Sequence, residues 1–364
     1  MMQRFYSLVT TVLMIAVGGV VGYVPMAAAA EWEQVLAAAK KEGTVAVVGP
    51  AGNDRRDLLT LSFEKKYGIT VEYWSDRGSG IGAKITAERN SGKFLWDIFI
   101  GGTSTALSVM LPDGMLDPIE PALIFPELKD PKKWRGGGIE YLDPGKRVLV
   151  MMLSTRGTLF VNPKVLKPDS ITSYKDLLNP KFKQKIVMDD PTMAGPGQGT
   201  FTFFFLHPAL GPNFIRALGK QEPTVLRNWS QEVEAIAREK FLVLIGGTDV
   251  IAEERMKAGV PIAILDPRKI KEGSYVGSSS GAVTMFNRAP HPNAAKVYIN
   301  WLLSKECQTD YALLTGNISA RLDVPTDHSP WRVPIPKSIK AYTQAAQDVK
   351  NEMLAVYKEA FGLK

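Results

Sequence analysis

The sequence predicts an α/β protein built from two doubly wound lobes. Short β-branched and aliphatic runs, typical of buried strands, alternate with helical stretches along most of the 364 residues. This alternation falls into two blocks, and a Pro- and Gly-rich region at 112–145 interrupts the first of them. Strands that alternate with helices form sheets covered by helices, so two such blocks predict two lobes. A chain of this length also suggests two domains.

The first block opens as a strand–loop–helix–strand unit. Apolar residues from Trp32 recur at helical spacing until Gly43, and the β-branched run Thr44 to Val48 then predicts a buried strand. A further helix ends at Gly68, and a second strand follows at 69–73, which completes a βαβ unit. We then expect, in order, a helix at 80–90, a strand at 97–100, a helix at 103–110, and strands at 148–153 and 158–161.

The second block repeats the alternation. Its predicted elements are a helix at 173–178, a strand at 186–188, helices near 198–206 and 212–219, a helix at 231–239, a strand at 241–245, a helix at 250–257 and a strand at 261–265. A strand at 282–286 and a helix at 292–303 follow, with Pro292 suited to the first turn.

The predicted last helix carries an apolar stripe. Its members are Ile339, Tyr342, Ala346, Val349, Met353 and Val356. Such a stripe normally buries one helix face against its own protein, and binding to a partner is the alternative.

The first thirty residues are typical of a cleaved signal peptide. Arg4 precedes an apolar stretch at 8–24, and the small residues Ala27 to Ala30 follow. We expect cleavage after Ala30 and export to the periplasm. A transmembrane anchor is the alternative, because about 17 residues is near the lower limit for a span. No cysteine directly follows the stretch, which excludes lipid attachment at a mature N-terminal cysteine.

Composition excludes several classes of function. Cys307 is the only cysteine, so no intramolecular disulfide can form. The net charge is +7, but the basic residues are spread along the chain, which argues against a nucleic-acid-binding face. The motifs Gly-x-Ser-x-Gly, Gly-x-x-x-x-Gly-Lys-Ser/Thr, His-Glu-x-x-His and Cys-x-x-Cys are all absent. Nothing therefore predicts a catalytic site, and a periplasmic enzyme remains only an alternative.

Several segments together point to one family. They are WEQVLAAAKKEG at 32–43, LSFEKKYGI at 61–69, SYKDLLNPKFK at 173–183 and APHPNAAKVYINWLLS at 289–304. In this order and spacing the chain resembles the bacterial extracellular solute-binding proteins of ABC transporters, in particular the ferric-iron-binding branch of the type II periplasmic binding protein fold.

The resemblance implies how the lobes and partners are arranged. Two crossover strands, near 158–162 and 262–267, would join lobe 1 (44–155 and 268–325) to lobe 2 (163–261 and 330–364). A small-molecule ligand would bind in the cleft between the lobes, and hinge closure would present it to a permease in the inner membrane. We expect a monomer without a cofactor.

Polar loops at the ends of predicted strands are the candidate binding elements. In an open α/β sheet, ligands bind beyond the carboxyl ends of the strands, and Gly-rich helix entries there favour anions. Tight turn formation is the alternative role of these glycines. The aromatics Tyr73, Trp74, Tyr141 and Tyr275 are candidates for the cleft, with core packing as the alternative. The predicted ligand-binding residues are Gly52, Asn53, Arg55, Arg77, Ser79, Gly102, Thr103, Ser104, Thr192, Ala194, Gly247, Thr248 and Asp249.

The sequence departs from the ferric members of the family at the metal site. Those proteins bind iron through two adjacent tyrosines after a strand of lobe 2, whereas the matching place here reads Gly246-Gly247-Thr248-Asp249. None of the 11 tyrosines is adjacent to another, and Asp249 alone cannot replace two phenolates. We therefore predict no metal site and a small organic anion, carboxylate- or phosphonate-like, as the ligand. Ferric iron on non-adjacent oxygen ligands is the alternative.

Overall fold

The computed structural model describes residues 26–76, 78–193, 195–278, 280–335 and 338–362. Most of the predicted signal peptide lies outside these ranges, and Met26 to Ala30 form the start of the first helix. No helix in the described ranges combines the length and the apolar character that a bilayer span requires.

Helices in the described residues follow the predicted alternation closely. Gly43 and Gly68 each follow the end of a helix in the left-handed conformation, with φ of 73° and 67°, which is why those two helices end there. The helices are α1 (Met26–Glu42), α2 (Asn53–Tyr67), α3 (Gly78–Asn90), α4 (Thr103–Thr105, continued by a π-helical turn at Ala106–Met110), α5 (Pro126–Lys129), α6 (Pro196–Leu206), α7 (Gly211–Gly219), α8 (Trp229–Ala237), α9 (Asp249–Lys257), α10 (Pro292–Leu302), α11 (Lys305–Thr315), α12 (Gln344–Asp348) and α13 (Lys350–Ala360).

Short 3-10 helices fill many of the connections. Most carry proline in the first turn, where a missing N–H costs no hydrogen bond. They are Glu120–Ala122, Pro131–Lys133, Pro168–Ser170, Tyr174–Leu178, Pro180–Phe182, Pro267–Lys269 and Pro330–Arg332.

The strands of the described residues form two large sheets and one small one. They are β1 (Thr44–Gly49), β2 (Thr70–Ser75), β3 (Ile98–Gly101), β4 (Leu116–Asp117), β5 (Glu140–Tyr141), β6 (Leu149–Val150), β7 (Met152–Thr155), β8 (Leu159–Val161), β9 (Ile186–Asp189), β10 (Thr224–Leu226), β11 (Val243–Ile245), β12 (Ala263–Ile264), β13 (Tyr275–Gly277), β14 (Ala282–Phe286), β15 (Ile318–Ser319) and β16 (Ile339–Lys340).

The two large sheets repeat one arrangement. Sheet A has the order β2-β1-β3-β14-β6-β5, with β4 beside β14, and sheet B has the order β10-β9-β11-β8-β12. In sheet A three parallel strands are followed by the antiparallel β14, and in sheet B three parallel strands are followed by the antiparallel β8. We call the halves built on sheets A and B lobe 1 and lobe 2. The predicted α/β fold with two lobes is confirmed.

Each lobe has its own hydrophobic core. The largest cluster in lobe 1 joins sheet A to α10, where Phe63 packs against Tyr298 and Trp301. The largest cluster in lobe 2 joins sheet B to α6, α7 and α13. Strand residues such as Val47 and Val243 are completely buried, which explains the continuous apolar runs in the sequence.

The chain crosses between the lobes through β7 and β13. These strands pair with each other, and together with β15 and β16 they form the small sheet. The predicted crossing positions, 158–162 and 262–267, are wrong, because β8 and β12 there belong to sheet B. The family resemblance placed the first crossing a few residues too late: β7 ends at Thr155, and β8 of sheet B begins at Leu159.

The C-terminal segment makes a third passage between the lobes. After β15 in the small sheet, the chain runs through β16 and then packs α13 on α7 of lobe 2. The apolar stripe is buried against the protein, as predicted, with Met353 completely buried and Tyr342 3% exposed. It does not lie on one helix, however: Ile339 is in β16, and the remainder is divided between α12, α13 and their connections.

Candidate functional site

A cavity of about 370 Å³ lies between the two lobes. We call it the interlobe cavity. Four parts of the chain line it: the end of β3, the two crossing strands, the start of α6 and the C-terminal segment. The lining residues are Gly102, Thr103, Ser104, Thr105, Arg156, Gly195, Pro196, Gln198, Gly199, Thr202, Tyr275, Gly277, Ser278, Ala341, Tyr342, Ala346, Gln347 and Lys350.

Lobe 1 supplies neutral hydrogen-bonding groups. Strand β3 ends at Gly101 and α4 begins at Thr103, so Gly102 is the N-cap and offers no side chain to cap the helix. The first N–H groups of a helix have no partner within it and carry partial positive charge. Gln347 Nε2 of the C-terminal segment donates to Ser104 Oγ at 3.3 Å, and this bond links lobe 1 to α12.

Lobe 2 supplies the entry of a longer helix. Pro196 occupies the first turn of α6, and the carboxylate of Asp189 accepts a hydrogen bond from Gly197 N at 2.8 Å. Gln198 and Thr202 line the cavity because residues four apart lie on one helix face. A Cβ at Gly199 would lie 2.6 Å from Tyr275 Oη, so glycine there lets the Tyr275 ring approach the helix closely.

Arg156 places a positive charge where the chain crosses between lobes. Its Nε lies 3.2 Å from Asp249 Oδ2, and its side chain is 13% exposed. Asp249 is completely buried at the start of α9, and its Oδ1 accepts a hydrogen bond from Gly157 N at 3.0 Å. Burial is the largest single influence on the pKa of Arg156 and lowers it, but Asp249, Tyr275 and Glu253 together outweigh burial and raise the pKa. Asp249 therefore holds a charged guanidinium against the cavity.

The described lining residues give the interlobe cavity a positive character. Arg156 and Lys350 are the cations among them, and none of them is Asp or Glu. Lys350, at the start of α13, has no carboxylate within ion-pairing distance among the described residues. The other polar groups are hydroxyls and amides, which hydrogen-bond a neutral or anionic ligand equally well.

The two cavity tyrosines are protonated donors. Burial raises the pKa of Tyr275 to about 12, and its Oη donates to Pro196 O at 3.4 Å. Burial and the neighbouring Glu140 also raise the pKa of Tyr342, whose Oη donates to Glu140 Oε2 at 2.9 Å. Within the described ranges, no three His, Cys, Asp or Glu residues are grouped so as to hold a metal ion.

The structure brings part of the predicted site to this cavity. Gly102, Thr103 and Ser104 line it, as does the candidate aromatic Tyr275. Asp249 stands behind Arg156, and the preceding Gly247 and Thr248 are likewise outside the lining.

The remaining predicted residues lie elsewhere or outside the described ranges. Gly52, Asn53 and Arg55 follow β1 at the same sheet edge as the end of β3, because β1 and β3 are parallel, but they do not line the cavity. Thr192 is exposed, and its hydroxyl donates to Asp190. Arg77 and Ala194 lie outside the described residues, and for Ser79 only the backbone, in α3, is described.

Sequence reasoning missed several residues of the interlobe cavity. Two signals were available: the charged Arg156, followed by Gly157, interrupts an apolar stretch, and Gly195 to Gly199 forms a Gly- and Pro-rich helix entry after a strand. No sequence signal identified the C-terminal contributors. The missed side chains are Arg156, Gln198, Thr202, Ser278, Tyr342, Gln347 and Lys350.

Comparison with known families agrees with this architecture. The profile of the family "Bacterial extracellular solute-binding protein" matches residues 59–347. The chain belongs to the bacterial extracellular solute-binding proteins. Members of this family bind small ligands outside the cytoplasmic membrane, without catalysis, and work with ABC transporter permeases.

Individual relatives are distant. An uncharacterized protein of Haemophilus influenzae is 23% identical over 279 residues, which are 75% of this chain and 77% of that protein. The periplasmic binding protein AfuA from Actinobacillus pleuropneumoniae, with fructose-6-phosphate bound, has a TM-score of 0.63 at 21% identity and covers 88% of this chain and 99% of its own. Iron-bound HitA from Pseudomonas aeruginosa has a TM-score of 0.62 at 16% identity and covers 87% and 99%. These likenesses show a shared fold, and the ligand of this solute-binding protein has to be argued from its own cavity.

Proposed function

We propose that this protein captures a small, hydroxylated organic anion in the interlobe cavity and delivers it to the permease of an ABC importer. The observation that carries the proposal is the charge of the cavity: Arg156 and Lys350 line it, and no carboxylate stands among its described lining residues. A positive charge fixed in a partly enclosed cavity attracts an anion more strongly than the same charge in bulk water, because the local dielectric constant is lower.

The remaining lining supports a polyhydroxylated body for the ligand. Gln198, Thr202 and Ser278 stand beside the cations, and their groups match sugar or hydroxy-acid hydroxyls. A volume of about 370 Å³ suits a single metabolite. The anionic end, a phosphate, phosphonate or carboxylate, would lie between Arg156 and the start of α6, because an arginine fork and a helix N-terminus both favour such oxygens. AfuA, which shares the fold, carries a sugar phosphate.

Ferric iron is the second candidate, because Tyr275 and Tyr342 line the cavity and HitA, with the same fold, holds iron. Three observations weigh against it. Burial raises the pKa of both phenols, each donates its proton to an oxygen, and Arg156 repels a cation.

A thermal-shift screen tests the two candidates together. The probes are fructose-6-phosphate, citrate, 2-aminoethylphosphonate, uncharged fructose, spermidine and ferric nitrilotriacetate. A ligand at 100 times its dissociation constant stabilises the folded state by about 2.7 kcal/mol. We expect an organic anion to raise the melting temperature, and fructose and spermidine to leave it unchanged.

The opposite pattern overturns the proposal. If only the ferric probe raised the melting temperature and turned the protein coloured, the ligand would be iron. After prolonged incubation, the bound compound is recovered and its NMR spectrum is compared with that of the starting compound. An unchanged spectrum indicates a binding protein, and a changed one indicates an enzyme.

We also propose export through residues 1–30, with cleavage after Ala30, and function as a periplasmic monomer. The apolar stretch before Ala27 supports export. Intact-mass measurement of the protein released by osmotic shock tests the cleavage site, and light scattering tests the monomer. A mass that includes residues 1–30, or a dimer at low concentration, would contradict these two points.

A further inference from the structure

A second cavity, of about 700 Å³, lies against the crossing strands. We call it the hinge cavity. Among the described residues, Tyr342 is the one that lines both this cavity and the interlobe cavity. Its described lining residues are Pro131, Lys132, Trp134, Arg135, Gly136, Gly137, Glu140, Leu153, Val276, Leu322, Pro334, Ile335, Ser338, Lys340 and Tyr342.

The wall of the hinge cavity is mainly apolar. Leu153 and Val276 come from β7 and β13, and both are nearly buried. Trp134 is 1% exposed, and its indole N–H already donates to Leu128 O at 2.8 Å, so only its apolar ring faces the space. At the rim, Leu322 is 52% and Ile335 is 44% exposed. Large apolar side chains gathered around a concave surface are typical of a binding site for an apolar body.

Unpaired positive charge accompanies this apolar wall. Arg135 Nε donates to Ser319 O at 3.1 Å, and no carboxylate among the described residues pairs with this guanidinium. Burial lowers the pKa of Arg135, which shows how incompletely its charge is solvated. Lys132 likewise lacks a carboxylate partner within the described ranges. The lining carboxylate, Glu140, is already engaged by Lys340 Nζ at 2.6 Å and by Tyr342 Oη at 2.9 Å.

We propose that the hinge cavity binds an amphipathic organic anion, with an aryl or alkyl body against Trp134, Leu153 and Leu322 and an anionic head on Arg135. The charge complementarity decides the class of occupant. A cationic amphiphile would be repelled by Arg135 and Lys132. A fully polar anion would bind less favourably, because it would leave the apolar wall exposed to water. The proposal is independent of what the interlobe cavity holds.

Fluorescence titration with 8-anilinonaphthalene-1-sulfonate tests this site, because the probe has an aryl body and a single anionic head. We expect saturable binding to one site. Decanoate should displace the probe, whereas decyltrimethylammonium, which has the same chain and the opposite charge, should not.

Substitutions locate the probe. Arg135→Gln should weaken its binding about tenfold, as expected for the loss of a hydrogen bond to a charged group. Arg135→Lys keeps the charge and should retain most of the affinity, and Leu322→Gln should weaken binding through the apolar wall. Arg216→Gln, at an exposed arginine of lobe 2, is the matched control and should change nothing.

Two results would overturn the proposal. One is equal probe affinity in the wild type, Arg135→Gln and Leu322→Gln, with circular dichroism and melting temperature showing that the variants are folded. The other is loss of probe binding in Lys350→Gln but not in Arg135→Gln, which would place the probe in the interlobe cavity.

Discussion

Lobe 1 and lobe 2 share one strand order, yet they bring different chemistry to the space between them. Lobe 1 offers the hydroxyls of Thr103, Ser104 and Thr105 at the short helix α4. The positive charges come from the other side: Arg156 is held by Asp249 of lobe 2, and Lys350 begins α13, which packs on lobe 2. This difference shows that the repeated fold sets the positions of the side chains around the cavity. The identity of the residues at the strand ends determines which ligand these side chains bind.

Buried carboxyl groups show the same contrast. In lobe 1, Asp97 is completely buried and accepts hydrogen bonds from Ala46 N at 2.7 Å and from His291 N at 2.8 Å. In lobe 2, the completely buried Glu232 lies next to Asp189, which caps the start of α6. Donors satisfy the carboxylate of Asp97, whereas Glu232 and Asp189 are two acidic groups that lie next to each other.

The largest effect is expected for Arg156→Gln. Loss of the charged fork should weaken binding of the organic anion found by the thermal-shift screen about 100-fold, measured by calorimetry. It should also lower the free energy of unfolding in urea by about 3 kcal/mol, because the remaining cation near the buried Asp249 among the described residues would be Arg332, whose Nη2 is 3.9 Å away.

The double variant Arg156→Gln/Asp249→Asn separates the two roles of Arg156. It should recover most of the stability and none of the anion binding. Full binding by the double variant would show that the charge of the cavity does not decide the ligand.

The second prediction concerns the carboxyl pair of lobe 2. Burial, with the charge of Asp189 added, raises the pKa of Glu232 from 4.5 to about 9. The stability that the protonated group contributes is complete below about pH 4.5 and is lost as the pH rises through about 9. Glu232→Gln keeps the neutral form, so it should raise the melting temperature at pH 8 by about 2–4 °C for each kcal/mol recovered, and should flatten the pH dependence between pH 5 and 9.

Glu234→Gln is the control for Glu232→Gln, since Glu234 lies on the same helix and is 47% exposed. It should leave the pH dependence of the melting temperature unchanged. An unaltered pH slope in Glu232→Gln would mean that lobe 2 satisfies its buried carboxyls as lobe 1 does.

The scaffold was predictable from the sequence because burial and periodicity are local properties. The apolar run at Thr44 to Val48 predicted β1, and the loop after β3 was placed at the cavity through Gly102 to Ser104 by the strand-end rule alone. Asp249 was identified as important by its position, but its partner Arg156, 93 residues earlier in the chain and absent from the prediction, is the group that faces the cavity.

The C-terminal part of the site was not predictable. An apolar stripe shows that Met353 faces a core, but it does not show which core, nor that Gln347 and Lys350 on other faces then meet the cavity. That information depends on the third passage between the lobes, which is a tertiary property without a local signal.

The third prediction tests whether the C-terminal side acts together with Arg156. Lys350→Gln should weaken binding of the same anion about tenfold at low salt, and by less at high salt because salt screens the charge of this half-buried lysine. Lys358→Gln, on the same helix and exposed, should leave the affinity unchanged. An equal, small loss of affinity in both variants would mean that Lys350 acts only through the overall surface charge and not through contact with the ligand.

The smallest effect is expected at the contact between lobe 1 and α12. Ser104→Ala and Gln347→Ala each remove one neutral hydrogen bond, worth about 1 kcal/mol, so the affinity should fall about fivefold in each. Combined, they should show less than the summed loss in a double-mutant cycle. Gln344→Ala removes a comparable bond, to Asp348 within α12, and should not change the affinity. Strict additivity of the two losses would mean that the bond does not join the lobes in the liganded protein.

Arg156 lies beside the paired strands β7 and β13, and if the two lobes close about these strands it would move less than residues far from them. For an anionic solute, the attraction therefore acts before any closure, over a range set by the Debye length. The association rate constant should then fall steeply with ionic strength. The residence time should depend instead on the neutral hydrogen-bonding groups of lobe 1. The association rate and the residence time would then be set by different residues.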